Sequence, residues 1–294
     1  MKIVLGPASE QLGKNIAELL KAEVVSVAFK TFPDGESYIR LEGNVQNEET
    51  VIVQTTSPPQ DARIIQLALI VDAARRSGAK KVTAVVPYLA YARQDRIFLQ
   101  GEAISIETIA RMFEAAGINS LITVNVHQQK VLDKFAFLAK NVSAIPLIAE
   151  YFKRGGFGKA FALAPDKGAI HIAEEARQVL GGECGYLEKH RDRYTGQISL
   201  EKKKFDVKGK TVIIFDDIIS TGGTIIAAAK VLRELGAGKV YAACAHPLLI
   251  GDAEKRIVEV GVEEIVGTDS VVSHVSKVSL APLISKELKE RKSG

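Results

Sequence analysis

The feature that most narrows the fold of this 294-residue chain is a repeated alternation of short β-branched runs with longer amphipathic stretches. The runs lie at 2–5, 24–29, 51–54, 82–88, 121–126, 160–164, 211–215, 240–245 and 264–266, and most are apolar at successive positions rather than at every second one. A strand that is apolar on both faces must be covered on both faces, which is the condition of a parallel sheet sandwiched by helices. The stretches between them, at 10–21, 62–77, 104–116, 169–180, 224–235 and 252–260, have the helical period. Gly78, Gly117, Gly181, Gly236 and Gly261 each follow one of these stretches, where a left-handed residue ends a helix. The pattern predicts an α/β protein.

The alternation runs twice. Its two passes meet within 139–146, shortly before the glycine-rich 154–158, so the spacing predicts domains at 1–143 and 144–294, with a terminal helix over about 280–291 that can dock on either. Two cores suit the length, at about 150 residues per domain. The 39 basic and 35 acidic residues leave a net charge of only +4 and are interspersed, which argues against nucleic acid or a membrane surface as partner. The N-terminal segment turns at Gly6-Pro7 after three apolar residues, and no uncharged window reaches the roughly 18 residues of a membrane span; both predict a cytoplasmic protein. Cys184 and Cys244 lie far apart with no CxxC pair and are expected to be reduced core thiols.

Ligands of open parallel sheets bind beyond the carboxyl ends of the strands, so the informative residues are those that follow the apolar runs. After 211–215 come Asp216 and Asp217, then Ser220, Thr221, Gly222, Gly223 and Thr224, then an Ala-rich helical stretch. Glycines let backbone N–H groups approach an anion, the hydroxyls add donors, and a helix N-terminus adds positive potential: together, a phosphate cradle. The two carboxylates would face a polyol or metal beside that phosphate, because unpaired acids at the end of an apolar strand are costly without a ligand.

Other strand ends carry further candidates. Phe32, Asp34 and Glu36 follow one run, and Arg93, Gln94 and Asp95 follow another. An arginine offers a planar, permanently charged fork to phosphate, while an acid and an aromatic ring pair with and stack on a base. His127 and Asp166 follow runs in opposite halves, so they meet only across an interdomain cleft, where they would share a divalent ion. Lys189 and Arg191 follow 184–187 in a loop and can clamp a polyphosphate whose charge shifts during reaction.

The segment 211–224 resembles the phosphoribosyl diphosphate motif shared by phosphoribosyltransferases and ribose-phosphate diphosphokinases, the PRPP synthetases, whose acids bind ribose hydroxyls and whose loop binds the 5-phosphate. The segments 32–36 and 87–96 resemble the paired ATP-binding segments of the diphosphokinases alone, and the likeness extends over nearly the whole chain. It implies two phosphoribosyltransferase-like domains, each a mainly parallel sheet flanked by helices, with the active site at their cleft. It further implies transfer of the diphosphoryl group of ATP to ribose 5-phosphate. On that pattern ATP lies on Phe32, Asp34, Glu36, Arg93, Gln94, Asp95 and His127; ribose 5-phosphate on Asp216, Asp217 and Ser220 through Thr224; Mg²⁺ on His127 and Asp166; and Lys189 and Arg191 are catalytic. The resemblance also implies a homo-oligomer built from dimers, whose adenine pocket a neighbouring subunit completes, and a mobile loop over the nucleotide at 96–104.

Two departures stand out. Asn125 occupies a position where the family commonly has an acid, and 97–101 carries less charge than is usual there. A PRPP-dependent phosphoribosyltransferase is the competing reading, but it leaves 32–36 and 93–96 without a task; a non-catalytic regulator would be expected to have lost Lys189 and Arg191. Residues 8–15 approximate a Walker A loop with Asn15 in place of the magnesium-ligating hydroxyl, and an amphipathic helix start explains them better. His171, His246 and His274 lack partners at ligand spacing and are expected to be satisfied core or surface residues.

Overall fold

The structure, a computed structural model, describes residues 1–191, 198–201 and 206–291, with the backbone alone at 188–191 and 198–201. The chain divides into two compact units, Met1–Ser143 with Ser279–Gly294, and Ala144–Val278.

The first unit runs β1 (Lys2–Leu5), α1 (Glu10–Leu20), β2 (Glu23–Thr31), β3 (Ser37–Glu42), β4 (Glu49–Val53), α2 (Gln60–Arg76), β5 (Lys81–Val86), α3 (Ser105–Ala116), β6 (Ser120–Val124) and β7 (Leu138–Val142). These strands form one sheet in the order β3-β2-β1-β4-β5-β6-β7, parallel except where β3 folds back on β2. Helices cover it through periodic apolar faces: Ile106, Ile109, Ala110 and Phe113 of α3 are all buried, and Gly117 ends that helix with φ 100°. Burying a side chain such as Phe113 contributes about 1.5–3 kcal/mol.

The second unit runs α4 (Ile145–Phe152), β8 (Phe161–Ala164), α5 (Ile170–Leu180), β9 (Cys184–Tyr186), β10 (Glu188–Arg191), β11 (Ile198–Glu201), β12 (Val212–Ile219), α6 (Gly223–Glu234), β13 (Val240–Pro247), α7 (Ala253–Glu259), β14 (Val262–Thr268) and β15 (Ser276–Val278). Six of its strands form an all-parallel sheet in the order β15-β14-β13-β12-β8-β9, while β10 and β11 pair antiparallel as a separate hairpin. Every residue of β13 is buried, as its continuous apolar run requires.

The chain then returns to the first unit as α8 (Ala281–Glu290), packed on α1. Glu287, only 5% exposed, is the anchor of this helix: it takes the Lys140 ammonium of β7 at 2.6 Å and the Arg291 Nε–H at 3.0 Å.

Each sheet has one point where its winding reverses. In the second unit β8 is followed outward by β9 on one side and by β12 on the other, so the crevice opens between β8 and β12. In the first unit it opens between β1 and β4.

Candidate active site

The acidic pair does not stand past the end of its strand, as the apolar run suggested. β12 continues to Ile219, and Asp216 lies in register with Cys244 of β13. Parallel pairing with β13 carries the strand through two carboxylates because each finds backbone donors: Asp216 Oδ1 accepts from the Asp217 N–H at 2.9 Å, and Asp217 Oδ1 from the Ile218 N–H at 2.7 Å. Asp217 is buried, and Asp216 is held well above the usual carboxylate range, first by burial, then by the charge of Asp217, and further by Asp166. Asp166 lies two residues past the end of β8, after Pro165, and its Oδ1 accepts from the Gly168 and Ala169 N–H groups at 2.8 and 3.3 Å. Three carboxylates thus crowd the switch point of this sheet, a charge arrangement that a cation or several hydroxyl donors would relieve.

Beyond β12, Gly222 adopts φ 77°, and a Cβ there would come within 2.9 Å of Ile257 Cδ1, so both conformation and space demand glycine. α6 starts at the next residue with no side-chain cap, which leaves its first N–H groups without intrahelical partners. Gly223 and Thr224 are exposed. The loop is an open, uncapped helix start that favours an anion.

In the first unit the expected ATP residues share the carboxyl edge of the sheet. Phe32 through Glu36 form the β2–β3 turn, closed by Phe32 N–H to Glu36 O at 2.8 Å, with Gly35 at φ 96° and Asp34 Oδ1 accepting the Glu36 N–H at 3.1 Å. Phe32 meets Tyr38 edge-on at 6.2 Å and lies under the Lys30 ammonium at 5.1 Å, and the whole turn is exposed.

Arg93, Gln94 and Asp95 follow β5 in a segment bolted to the end of β4. Thr56 Oγ1 donates to Tyr88 O at 2.7 Å and accepts the Ala90 N–H at 2.8 Å. Tyr91, at φ 64°, donates its hydroxyl to the Asp61 carboxylate, which pushes the phenol above its ordinary range. Arg93 is exposed, and Gln94 reaches Glu102 at 3.3 Å. Glu102 also accepts the Phe98 and Leu99 N–H groups at 2.7 and 3.0 Å, and these backbone donors hold its carboxyl below the usual range. The tip that this carboxylate gathers exposes Ile97, Phe98 and Leu99.

His127 follows β6 and is exposed. Asn125, before it, sits at φ 38°, a left-handed conformation that asparagine tolerates better than most residues, and donates its N–H to Val142 O at 3.0 Å. β2 and β5 are separated in the sheet by β1 and β4, roughly 14 Å at strand spacing, so the turn at 32–36 and the segment at 93–95 flank the edge rather than touch.

Residues 1–117 match the model for the N-terminal domain of ribose phosphate pyrophosphokinase, and residues 202–286 that for the phosphoribosyl synthetase-associated domain. The ribose-phosphate pyrophosphokinase of Saccharolobus solfataricus is 44% identical over 92% of this chain and 93% of its own length. That of Methanothermobacter thermautotrophicus is 40% identical over 96% and 98%. The chain belongs to the ribose-phosphate pyrophosphokinase family. Among solved structures, phosphoribosylpyrophosphate synthetase from Mycobacterium smegmatis matches with a TM-score of 0.88 at 28% identity, covering 100% of this chain and 99% of its own.

The two family-model spans contain the segments 32–36, 93–95 and 216–224, whereas His127, Asp166, Lys189 and Arg191 fall between them. Lys189 and Arg191 do not sit in a loop: the backbone places them in β10, paired with Leu200 and Ile198 of β11, and their side chains lie outside the described residues. Like other members of the family the chain is α/β with two mainly parallel sheets. The near-Walker segment is a helix start, since α1 begins at Glu10 and Lys14 pairs with Glu10 on its surface at 2.6 Å. His246 is buried against Ser270 Oγ at 2.8 Å, His274 meets Glu254 at 2.7 Å on the surface, and His171 meets Gly168 O at 3.2 Å. Cys244 is a buried thiol, as expected, but Cys184 is only half-buried. Sequence reasoning missed Glu102 and Asp61, because nothing local marks a surface acid as the anchor of another segment.

Proposed function

We propose that this chain transfers the diphosphoryl group of ATP to the anomeric hydroxyl of D-ribose 5-phosphate, giving 5-phospho-α-D-ribose 1-diphosphate (PRPP) and AMP. The observation that carries this reading is the coincidence, at the switch point of the second sheet, of Asp166, Asp216 and Asp217 with the uncapped glycine loop before α6. Asp216 and Asp217 accept hydrogen bonds from the ribose hydroxyls. The 5-phosphate sits on Ser220, Thr221, Gly222, Gly223 and Thr224. The first unit binds ATP, its adenine near Phe32, Asp34 and Glu36 and its phosphates near Arg93, Gln94, Asp95 and His127. In the reaction the anomeric oxygen attacks the β-phosphorus in line, the bond from that phosphorus to the oxygen of AMP breaks, and the hydroxyl proton is lost; no covalent enzyme intermediate is needed. Lys189 and Arg191 neutralise the charge that shifts toward the leaving AMP.

Mg²⁺ fits the donor chemistry: Asp166 takes both turn bonds on a single oxygen, and the crowding that raises Asp216 is eased by a nearby cation. We assign the ion to His127 and Asp166, which would hold it together with phosphate oxygens and water; among the described residues no three His, Cys, Asp or Glu side chains form a ready-made metal site. When bound, it neutralises polyphosphate charge. We further assign the chain to a homo-oligomer built from dimers, acting in the cytoplasm; among the described residues no helix is long and apolar enough to cross a membrane.

³¹P NMR of the protein with ATP, Mg²⁺ and ribose 5-phosphate tests the reaction directly. AMP with an anomeric diphosphate is expected. ADP with a monophosphate would mean ordinary kinase chemistry, and no turnover, followed by PRPP consumption once a nucleobase is added, would make the chain a phosphoribosyltransferase.

A further inference from the structure

We infer that Arg256 is a positioning residue for the 5-phosphate loop, acting by pinning the Thr221 carbonyl so that the Gly222 N–H faces the phosphate. This rests on the reading of 220–224 as that loop. Three consecutive carbonyls leaving β12 are each taken by a donor from the segment that leads into and along α7. The Leu249 N–H donates to Ile219 O at 3.0 Å, the Ile250 N–H to Ser220 O at 3.0 Å, and Arg256 Nη2 to Thr221 O at 2.5 Å.

In a planar trans peptide the C=O and the following N–H point to opposite sides. Tying the Ser220 and Thr221 carbonyls back to this segment therefore turns the Thr221 and Gly222 N–H groups away from it. They then precede the unpaired N–H groups of the first turn of α6, and successive amides presented in this way form an anion-binding nest.

Two backbone features bear on how the arrangement is held. Leu249 adopts φ 45°, a left-handed conformation that is strained for a γ-branched residue, and it does so where its own N–H takes Ile219 O at the end of β12 and the next one, of Ile250, takes Ser220 O in the loop. Gly222, at φ 77°, has little intrinsic resistance to a flip of the peptide before it, because glycine occupies both halves of φ space. The donor on Thr221 O removes that alternative. Arginine suits both contacts: Nε faces Asp252 Oδ1 at 3.2 Å while Nη2 holds Thr221 O, so two separate nitrogens of one planar fork serve the two acceptors, where lysine has one nitrogen on a flexible stem.

Steady-state kinetics of Arg256→Met, Arg256→Lys and Thr224→Ala, with each substrate varied in turn, test the inference. Both Arg256 variants are expected to raise the KM for ribose 5-phosphate about tenfold, the scale of one charge-assisted hydrogen bond. Their kcat and their KM for ATP should stay within about twofold of wild type on the same scale, with an unchanged thermal midpoint. An Arg256→Lys enzyme with wild-type KM beside an impaired Arg256→Met overturns the inference, since bare charge would then suffice. Equal losses for both substrates, or a loss that tracks thermal stability, overturn it as well. A raised KM in Thr224→Ala with unaffected Arg256 variants removes the positioning role and keeps the loop; an unaffected Thr224→Ala removes the loop reading and this inference with it.

Discussion

Asp166, just past the end of β8, faces the neighbouring strand β12, which carries Asp216 within it, and the charge of Asp166 adds to burial and to Asp217 in holding the Asp216 carboxyl above its ordinary range. A fold that keeps this arrangement without ligand carries an electrostatic cost at its binding crevice. The cost is removable in a way that separates stability from activity.

Asp216→Asn is expected to stabilise the ligand-free protein at neutral pH while abolishing PRPP formation. The sign follows from the raised folded value: the contribution of Asp216 to stability is fully present below the unfolded carboxylate pKa and is lost as pH rises through the folded one. The difference in thermal midpoint between variant and wild type should therefore grow with pH, starting from about pH 4. Calorimetric scans of both proteins across pH check this, and a variant less stable than wild type at every pH contradicts it.

Gly222→Ala should cost about 1–2 kcal/mol, because the left-handed backbone and the 2.9 Å approach to Ile257 Cδ1 both oppose a Cβ. Gly223→Ala, one residue on, meets nothing within 4 Å and should leave stability near that of wild type. Urea denaturation of the pair is the measurement; equal effects at both positions would remove the steric argument.

Lys189→Ala is expected to lower kcat by roughly 10²–10³-fold, the scale for removing one preorganised charge from a shifting phosphoryl group, with smaller changes in either KM. Initial rates of AMP release read it. A loss below tenfold would move Lys189 out of the catalytic set.

Glu287→Ala should loosen the terminal helix at a cost of about 1–3 kcal/mol, because it leaves Lys140 and Arg291 without their carboxylate. Lys140→Met should cost less, because the buried Glu287 carboxylate keeps Arg291 as its partner and the lost ammonium is 48% exposed, where an ion pair contributes little. Hydrogen exchange of residues 281–290 distinguishes local release of α8 from global unfolding.

The central strands and most helices were legible because their periodicity is written in contiguous residues, and so was the acid pair with its glycine loop. β3 and β7 were not. Ser37–Glu42 alternates half-buried with exposed positions, and Leu138–Val142 carries Lys140 and Asn141, so each is an edge strand without the apolar run that marks a central one. β10 escaped as well: Lys189 and Arg191 suggest a loop until Ile198–Glu201 is brought alongside to pair with them.

By itself the sequence determined the α/β alternation, the chemistry of the strand ends and the family, since these depend on side-chain type and spacing along one covalent segment. Tertiary structure alone decided that α8 closes the first unit through Glu287 and Lys140, that β12 carries its acids inside the strand, and that Arg256 holds Thr221. Each of these joins residues far apart in the chain, and its energy exists only once burial and backbone pairing elsewhere have brought them together.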